Sequence, residues 1–394
     1  MSFATESGPE NVVTIKVVGV GGAGNNVVNR MVKSGTQGIE YVAVNTDKQA
    51  LAVSSADQKI QIGEKLTHGQ GAGSDPDVGK RSAEESRNNI AKSLENADMV
   101  FITAGMGGGT GTGAAPTIAD IAREAGILTV GVVTKPFKFE GKRRMDQAMV
   151  GINELLGKVD SLLIIPNDRL KFATDQKVTL ANAFEIADDV LRQAGVSISD
   201  LIKNTGFINL DFADVTCVMK DAGFAHMGVG RAAGKGKAED AARMAVASPL
   251  METSINGARG VLINITGSED MGLEDVETAA NLVQEAAHPD ANIIFGASFD
   301  PSLDDEIRVS VIATGFDEPG KAQAEAAPAA AAAPAAAPAA GMYTAAATAA
   351  TAAPAAAPAP AAAPAAPAAA PAADAAAPAE EDPFDSIFKI FNSK

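Results

Sequence analysis

The sequence has one cysteine, three histidines and no tryptophan among its 394 residues. A single cysteine, Cys217, excludes an internal disulfide. The start, MSFATESGPE, lacks the basic and apolar segments of a secretory signal. These two absences predict a cytoplasmic protein.

Long apolar runs and an excess of basic residues are also missing. The longest apolar strings, such as MVFITAG and ILTVGVV, are much shorter than the roughly 20 residues that a membrane-spanning helix needs. We therefore expect no direct membrane insertion. The formal net charge of -17 repels phosphate backbones, so nucleic acid is not an expected partner.

The region from about residue 12 to residue 320 alternates short β-branched runs with helical patterns, which is typical of parallel α/β units. The predicted strands of its first half are TIKVVGV, EYVAVNT, MVFITAG, LTVGVVT and SLLIIP. Apolar residues recur every three or four positions over 178–203, which predicts one long helix. The strands GVLINITG, ANIIFGASF and EIRVSVIATG, with helices over 238–247 and 273–286, predict a separate α+β domain.

The remaining segment, up to about residue 379, is almost only alanine and proline. Alanine favours helix, but each interior proline costs about 3 kcal/mol, so we expect a disordered tether. The chain then ends in EEDPFDSIFKIFNSK. In a short helix, four apolar side chains would share one face suited to a partner's groove: Phe384, Ile387, Phe388 and Phe391. The alternative is a frayed terminus without a partner.

Two glycine-rich loops each follow a predicted strand and open a helix. The first, GVGGAGNN from Gly19, matches the GxGxxG dinucleotide fingerprint, in which glycines let the backbone approach a pyrophosphate. A tight turn without a ligand is the alternative. The second, GGGTGTG over 107–113, combines five glycines with two threonines, which is typical of a phosphate cradle on a helix N-terminus. No GxxxxGK[ST] occurs, so the sequence indicates a nucleoside triphosphatase of a class other than the Walker type.

The motifs GVGGAGNN, AVNTD, GAGSDPDVG, AGMGGGTGTGAAP, TKPFKFEGKRR, IPNDRL, NAFEIADDVL and NLDFADV occur in this order. In these motifs the chain resembles the FtsZ family of tubulin-like bacterial division GTPases over about residues 12–317. The resemblance implies a Rossmann-like parallel-sheet GTPase domain, joined by a long central helix to a smaller α+β domain, with a disordered tail. The implied regions are a flexible N-terminus (1–11), the GTP-binding domain (12–177), the central helix (178–203), the catalytic loop with its following helix (204–224), the α+β domain (225–317), the Ala/Pro linker (318–379) and the partner-binding peptide (380–394).

The resemblance also implies how GTP or GDP is held. The phosphates would be wrapped by Gly21, Gly22, Gly71, Ala72, Gly73, Gly107, Gly108, Gly109, Thr110, Gly111, Thr112 and Gly113, with Mg²⁺ on the phosphates and no protein metal site. Ribose contacts would come from Glu140 and Arg144. Guanine contacts would come from Asn26, Phe184 and Asp188. The structural alternatives are a surface ion pair for Glu140 with Arg144 and an ordinary core side chain for Phe184.

For the catalytic step, the resemblance implies residues lent by a neighbouring subunit. Asn209, Asp211 and Asp214 would enter the next subunit's nucleotide site, where the two carboxylates would orient the attacking water. Hydrolysis would then require head-to-tail assembly into filaments. The alternative role for Asp211 or Asp214 is N-capping of the helix that follows, and both roles are compatible.

The family's partners would be assembly regulators and membrane-anchoring division proteins, FtsA-like or ZipA-like, bound through the C-terminal peptide. The expected place of action is the cytoplasm, at the division site on the inner face of the membrane. Family tails often carry a DIPxF-like core with basic residues, whereas this tail reads DPFDSIFKIF. The identity of the anchor therefore stays open.

Two other classes of function remain from the residues alone. A Rossmann oxidoreductase would explain GVGGAG, with Asp47 as a candidate ribose ligand, but it leaves GGGTGTG without a role. A nucleotide-binding scaffold that polymerises without turnover is the other class, and the intact NLDFAD segment argues against it.

Overall fold

The computed structural model describes residues 13–36, 38–172, 178–179, 182–203, 208, 211–250, 255–268, 270–300 and 303–316. Asn209, the Ala/Pro segment and the C-terminal peptide, including Phe384, Ile387, Phe388 and Phe391, lie outside these residues.

The first half of the described chain contains six parallel strands. All five runs predicted from their β-branched composition are strands, and a short polar strand, QKIQ, joins them at the edge of the sheet. They run in the spatial order β3-β2-β1-β4-β5-β6, which is the order of a doubly wound nucleotide-binding fold. Their bounds are β1 Ile15–Val20, β2 Ile39–Asn45, β3 Gln58–Gln61, β4 Met99–Gly105, β5 Leu128–Lys135 and β6 Ser161–Pro166.

Helices cover both faces of these strands, which explains the continuous apolar character of the strand sequences. In β1, Ile15 and Val17 belong to one buried cluster, and Val18 and Val20 belong to another. The seven helices are α1 Gly21–Lys33, α2 Lys48–Ala52, α3 Glu64–Thr67, α4 Pro76–Glu85, α5 Arg87–Leu94, α6 Thr110–Glu124 and α7 Lys142–Leu156.

The long helix predicted over 178–203 is present as α8, Ala183–Lys203. It begins later than predicted, because Val178 and Thr179 are not helical. The Thr179 backbone N–H and hydroxyl both donate to Oδ1 of Asn182, at 2.6 and 3.0 Å. These bonds, with the Ala183 N–H donating to the Thr179 carbonyl at 2.9 Å, cap the N-terminal start of α8, so the helix does not extend back to Val178. Ala187, Leu191, Ala194 and Ile198 form the predicted buried stripe of α8.

The second half contains the predicted α+β elements around a third buried cluster. Its strands run in the order β7-β10-β8-β9, with β10 antiparallel to both of its neighbours. Three residue pairs between β6 and β7 join this half to the parallel strands in one ten-stranded sheet. The bounds are α9 Phe212–Met219, β7 Gly223–Ala233, α10 Lys237–Val246, β8 Gly260–Gly267, α11 Leu273–Ala286, β9 Asn292–Phe299 and β10 Glu306–Thr314.

Candidate functional site

Two helices begin at neighbouring points on the carboxyl edge of the parallel sheet. α1 starts directly after β1, and α6 starts a few residues after β4. The two strands are adjacent, with Val20 in register with Ala104. Neither helix start has a side-chain cap among the described residues. Backbone N–H groups with the positive ends of two helix dipoles therefore meet at one place, which suits an anionic ligand.

The glycines of this region bring three segments into direct contact, which together we call the cradle: Gly21–Gly22, Gly71–Gly73 and Gly107–Gly113. Gly21 has a φ of +72°, and a Cβ there would lie 3.0 Å from the Gly111 nitrogen. A Cβ on Gly109 would lie 2.8 Å from the Cβ of Ala72. In contrast, a Cβ on Gly22, Gly73 or Gly108 would meet no described atom within 4 Å. The loops therefore touch each other at some glycines and border open space at others, as a cradle for a ligand would.

Hydroxyl groups fix the shape of the cradle. The hydroxyls of Thr110 and Thr46 lie 2.7 Å apart, and the Thr46 carbonyl accepts from the Gly71 N–H at 3.3 Å. The hydroxyl of Thr112, which is buried, accepts from the Gly107 N–H at 2.8 Å. Thr46 thus links the segment at Gly71 to the start of α6, and Thr112 braces its own loop.

Two residues of the cradle were missed by sequence reasoning. One is Thr46, which ties two loops together. The other is Asn25, which is only 3% exposed. With its amide nitrogen turned toward the loop, Asn25 donates to the carbonyls of Gly21 at 2.7 Å, Gly19 at 3.0 Å and Val44 at 3.3 Å. The paired asparagines of GAGNN are the available signal, and only Asn26, which is exposed, is assigned to the site from the sequence.

Glu140 and Arg144, the predicted ribose contacts, form the ion pair that was the structural alternative, with 3.1 Å between Oε2 and Nη1. Glu140 is largely buried and also accepts from the Phe137 N–H at 2.8 Å. Arg144 packs beside the cradle, because a Cβ on Gly107 would lie 2.6 Å from its carbonyl oxygen. The pair therefore borders the cradle, and Arg144 remains half exposed.

Phe184 lies at the start of α8 and is 46% exposed. The alternative of an ordinary core side chain is therefore wrong for this residue. Its ring packs nearly perpendicular to that of Phe137, with 5.5 Å between centroids, and Phe137 stacks on Phe139 at 5.1 Å. An exposed aromatic face held in place by other rings suits stacking against a planar base.

Asp188 follows one turn later on α8 and is 8% exposed. Burial raises the pKa of its carboxyl to about 6, against the opposing effect of Arg30 on α1. The Arg30 Nε lies 3.5 Å from Oδ2 of Asp188. Asp188 is thus a buried acceptor that is ionised at neutral pH and partly protonated near pH 6.

Asp211 and Asp214 form a reciprocal capping box at the start of α9. Oδ1 of Asp211 accepts from the Asp214 N–H at 2.8 Å, and Oδ2 of Asp214 accepts from the Asp211 N–H at 3.2 Å. The N-capping alternative is therefore confirmed, and it involves both carboxylates. Each bond uses one oxygen of its carboxylate. The predicted third member, Asn209, lies outside the described residues.

Within the part of the chain that the structure describes, no group of three or more His, Cys, Asp or Glu side chains is arranged to hold a metal ion. In the same residues, no helix combines the length and the apolar character needed to cross a membrane.

The chain matches two models of known protein families. Residues 14–175 match the Tubulin/FtsZ family GTPase domain, and residues 223–317 match the FtsZ family C-terminal domain. An empty FtsZ dimer from M. jannaschii is 45% identical, with 77% of this chain and 88% of that chain covered and a TM-score of 0.74. A mutant FtsZ from M. jannaschii gives 45% identity, coverages of 77% and 91%, and a TM-score of 0.75.

The same fold is found in a protein of much lower sequence identity. CetZ2 from Haloferax volcanii, in a GTPgS-bound protofilament, is 21% identical, with 79% of this chain and 96% of that chain covered and a TM-score of 0.66. At this identity the likeness concerns the fold alone. The fold is that of tubulin and FtsZ, as the motifs predicted, and the chain belongs to the FtsZ family of tubulin-like cytoskeletal GTPases, which bind and hydrolyse GTP.

Proposed function

We propose that this chain polymerises head to tail, forms the division ring at the cell midpoint and hydrolyses GTP at the joints between subunits. The observation that carries the proposal is the separation of the cradle from the carboxylates of α9. The cradle lies at the carboxyl edge of the parallel strands. The C-terminal end of α9 bonds to Ser161, the first residue of β6, at the amino edge.

The length of α8 supports the same separation. Phe184 and Asp188 are in its first turns, and the segment with Asp211 and Asp214 follows its last turn. At 1.5 Å per residue, Asp188 and Lys203 are roughly 22 Å apart along the helix. The carboxylates bond to each other's backbone. A site that uses both the cradle and these carboxylates is therefore best supplied by two subunits.

In this proposal the cradle residues hold the phosphates, Glu140 and Arg144 contact the ribose, and Phe184 stacks on guanine. Asn26 and Asp188 contact the guanine edge, with Asp188 accepting from its N1–H and amino group. The fit is supported by the two uncapped helix starts and the open glycine surfaces of the cradle. Mg²⁺ bound to the phosphates would neutralise part of their charge.

The attacking water would be oriented by Asp211 and Asp214 of the adjoining subunit, with Asn209 completing the pocket. In this proposal the protein acts at the division site on the inner face of the membrane. There the C-terminal peptide, with Phe384, Ile387, Phe388 and Phe391, would bind an FtsA-like or ZipA-like anchor, and assembly regulators would act on the filament. Support for these partners comes only from family membership and from the apolar spacing of the peptide.

The test combines a substitution with dilution. Asp211→Asn keeps a side chain that caps helices well and removes the charge, so we expect GTP binding and filament formation to persist. Turnover should fall by about two orders of magnitude or more, in the range seen when electrostatic groups of an active site are removed. Phosphate release and light scattering after GTP addition measure both effects.

Asp57→Ala is a suitable control, because Asp57 also accepts a backbone N–H, from Tyr41 at 2.8 Å, away from α9 and the cradle. For the wild type, phosphate release per subunit should rise above a threshold protein concentration. Turnover per subunit that stayed constant on dilution below that threshold would contradict a shared site.

A further inference from the structure

The C-terminal end of α9 is held by two buried hydroxyl groups from different parts of the sheet. The Ser161 hydroxyl, at the start of β6, donates to the Met219 carbonyl at 2.6 Å. The Thr314 hydroxyl, at the end of β10, donates to the Val218 carbonyl at 2.9 Å. Both side chains are at most 1% exposed. Carbonyls in the last turn of a helix have no partner within the helix, so these hydroxyls supply bonds that the helix cannot make itself.

Close packing also restricts movement of the C-terminal end of α9. Val215, Val218 and Met219 are at most 4% exposed and pack in the cluster shared with α8 and β10. A Cβ on Gly260 would lie 2.6 Å from the Thr314 hydroxyl and 3.1 Å from Cγ1 of Val218. The C-terminal end of α9 is therefore fixed by close packing and two hydroxyl bonds, while Asp211 is exposed at the other end.

We infer that Ser161 and Thr314 are positioning residues for hydrolysis, acting through α9 on Asp211 and Asp214. This inference rests on the proposed function of those carboxylates. α9 has only eight residues, so a tilt at its C-terminal end is transmitted directly to its N-terminal end. A misplacement of about 1 Å in an active site can reduce a rate by about a hundredfold.

The two hydroxyls also come from opposite sides of the β6–β7 junction. Ser161 belongs to the parallel strands that carry the cradle, and Thr314 belongs to the antiparallel strands of the second half. The direction of α9 is therefore determined by both halves of the protein together. Loss of either bond should change the carboxylates that the subunit presents without changing its own nucleotide cradle.

The test uses Ser161→Ala and Thr314→Val in the full chain. We expect about a tenfold lower kcat for each, with GTP affinity and the threshold concentration for assembly unchanged, because the cradle is intact. Thr314→Ser, which restores the hydroxyl, should recover most of the wild-type kcat. Ser93→Ala is the matched control, since the buried Ser93 hydroxyl donates to the Ile90 carbonyl at 2.7 Å far from α9; it should keep the wild-type kcat.

Mixing experiments locate the defect. In an equal mixture of Ser161→Ala with Asp211→Ala, both substitutions impair the carboxylates that a subunit contributes to the adjoining subunit's nucleotide site. Turnover should therefore equal the average of the two proteins measured separately. Turnover clearly above that average would place the Ser161 defect in the cradle and overturn the inference. Wild-type kcat in both Ser161→Ala and Thr314→Val would also overturn it. If Asp211→Ala itself kept wild-type turnover, the proposed function would fail instead, so the two failures are distinguishable.

Discussion

Replacing Asp188 with asparagine should stabilise the nucleotide-free fold at neutral pH. The pKa of the folded carboxyl is about 6, compared with an ordinary value of 3.8, mainly because of burial. The gap of about two pH units corresponds to roughly 3 kcal/mol of destabilisation at pH 7, at 1.36 kcal/mol per unit. That cost already includes the opposing attraction of Arg30, which also lies 3.6 Å from Oε1 of Glu185, so an asparagine at this position would avoid the whole net cost. We expect a net gain of roughly 3 kcal/mol at pH 7.

The pH dependence of this gain has a definite sign. Because the folded pKa lies above the unfolded one, the folded state binds more protons between about pH 4 and 6, and wild-type stability falls as the pH rises through that range. The cost of Asp188 is complete above about pH 6 and disappears near pH 4. The advantage of the Asp188→Asn variant should therefore shrink by about half at pH 5.

Urea unfolding of nucleotide-free protein at pH 7 and pH 5 measures both quantities. Asp189→Asn is a matched control on the same helix. Burial raises the pKa of Asp189, but bonds from Arg192 and Gln193 outweigh burial and lower it overall. Removal of that charge should destabilise the protein at pH 7. An Asp188→Asn variant less stable than the wild type at pH 7, or with a pH-independent gain, would refute the reasoning.

Two further predictions concern the cradle and the tail. In Gly113→Ala, the new methyl would lie 1.9 Å from the Pro76 carbonyl oxygen, so we expect the free energy of unfolding to fall by roughly 1–3 kcal/mol. GTP binding, measured by fluorescence titration, should also weaken. The control is Gly126→Ala, at a turn with open space around it; a GTP affinity equal to that of this control would argue against a tightly packed cradle. Deletion of residues 380–394 should leave GTPase activity and filaments unchanged and abolish capture by a membrane anchor; a truncated chain that still bound its anchor in a pull-down would contradict that role for the peptide.

The strands and the cradle loops were predictable because their signals are local. Runs such as SLLIIP and MVFITAG begin and end at the predicted residues, since β-branched apolar runs bounded by turns leave few alternatives. The glycines of GGGTGTG predict close backbone contact, and in the structure a Cβ on Gly109 or Gly113 would collide with neighbouring atoms. The predicted start of α8 is wrong by five residues, because the apolar periodicity extends back to Val178 whereas side-chain bonding between Thr179 and Asn182 caps the helix there.

Contacts between residues far apart in the sequence could not be predicted from one sequence. Thr46 and Thr110 are 64 positions apart, and nothing near either residue indicates the other. Strand β3 was also missed, because QKIQ is short and largely polar and becomes a strand only by pairing with β2. Ser161 looked like the first residue of an apolar strand, and its bond to Met219 spans 58 positions.

The orientation of the two carboxylates at the start of α9 depends on both local and long-range structure. Their orientation relative to each other is set by the capping box, which depends only on the three-residue spacing of Asp211 and Asp214. Their orientation relative to the rest of the subunit depends on Ser161 and Thr314, which the fold brings to α9 from two other strands. A sequence motif can therefore specify the pair of acids but not the direction in which a subunit presents them. In a site shared between subunits that direction determines whether the acids reach the phosphates, so hydrolysis should be sensitive to buried residues that touch neither nucleotide nor neighbour.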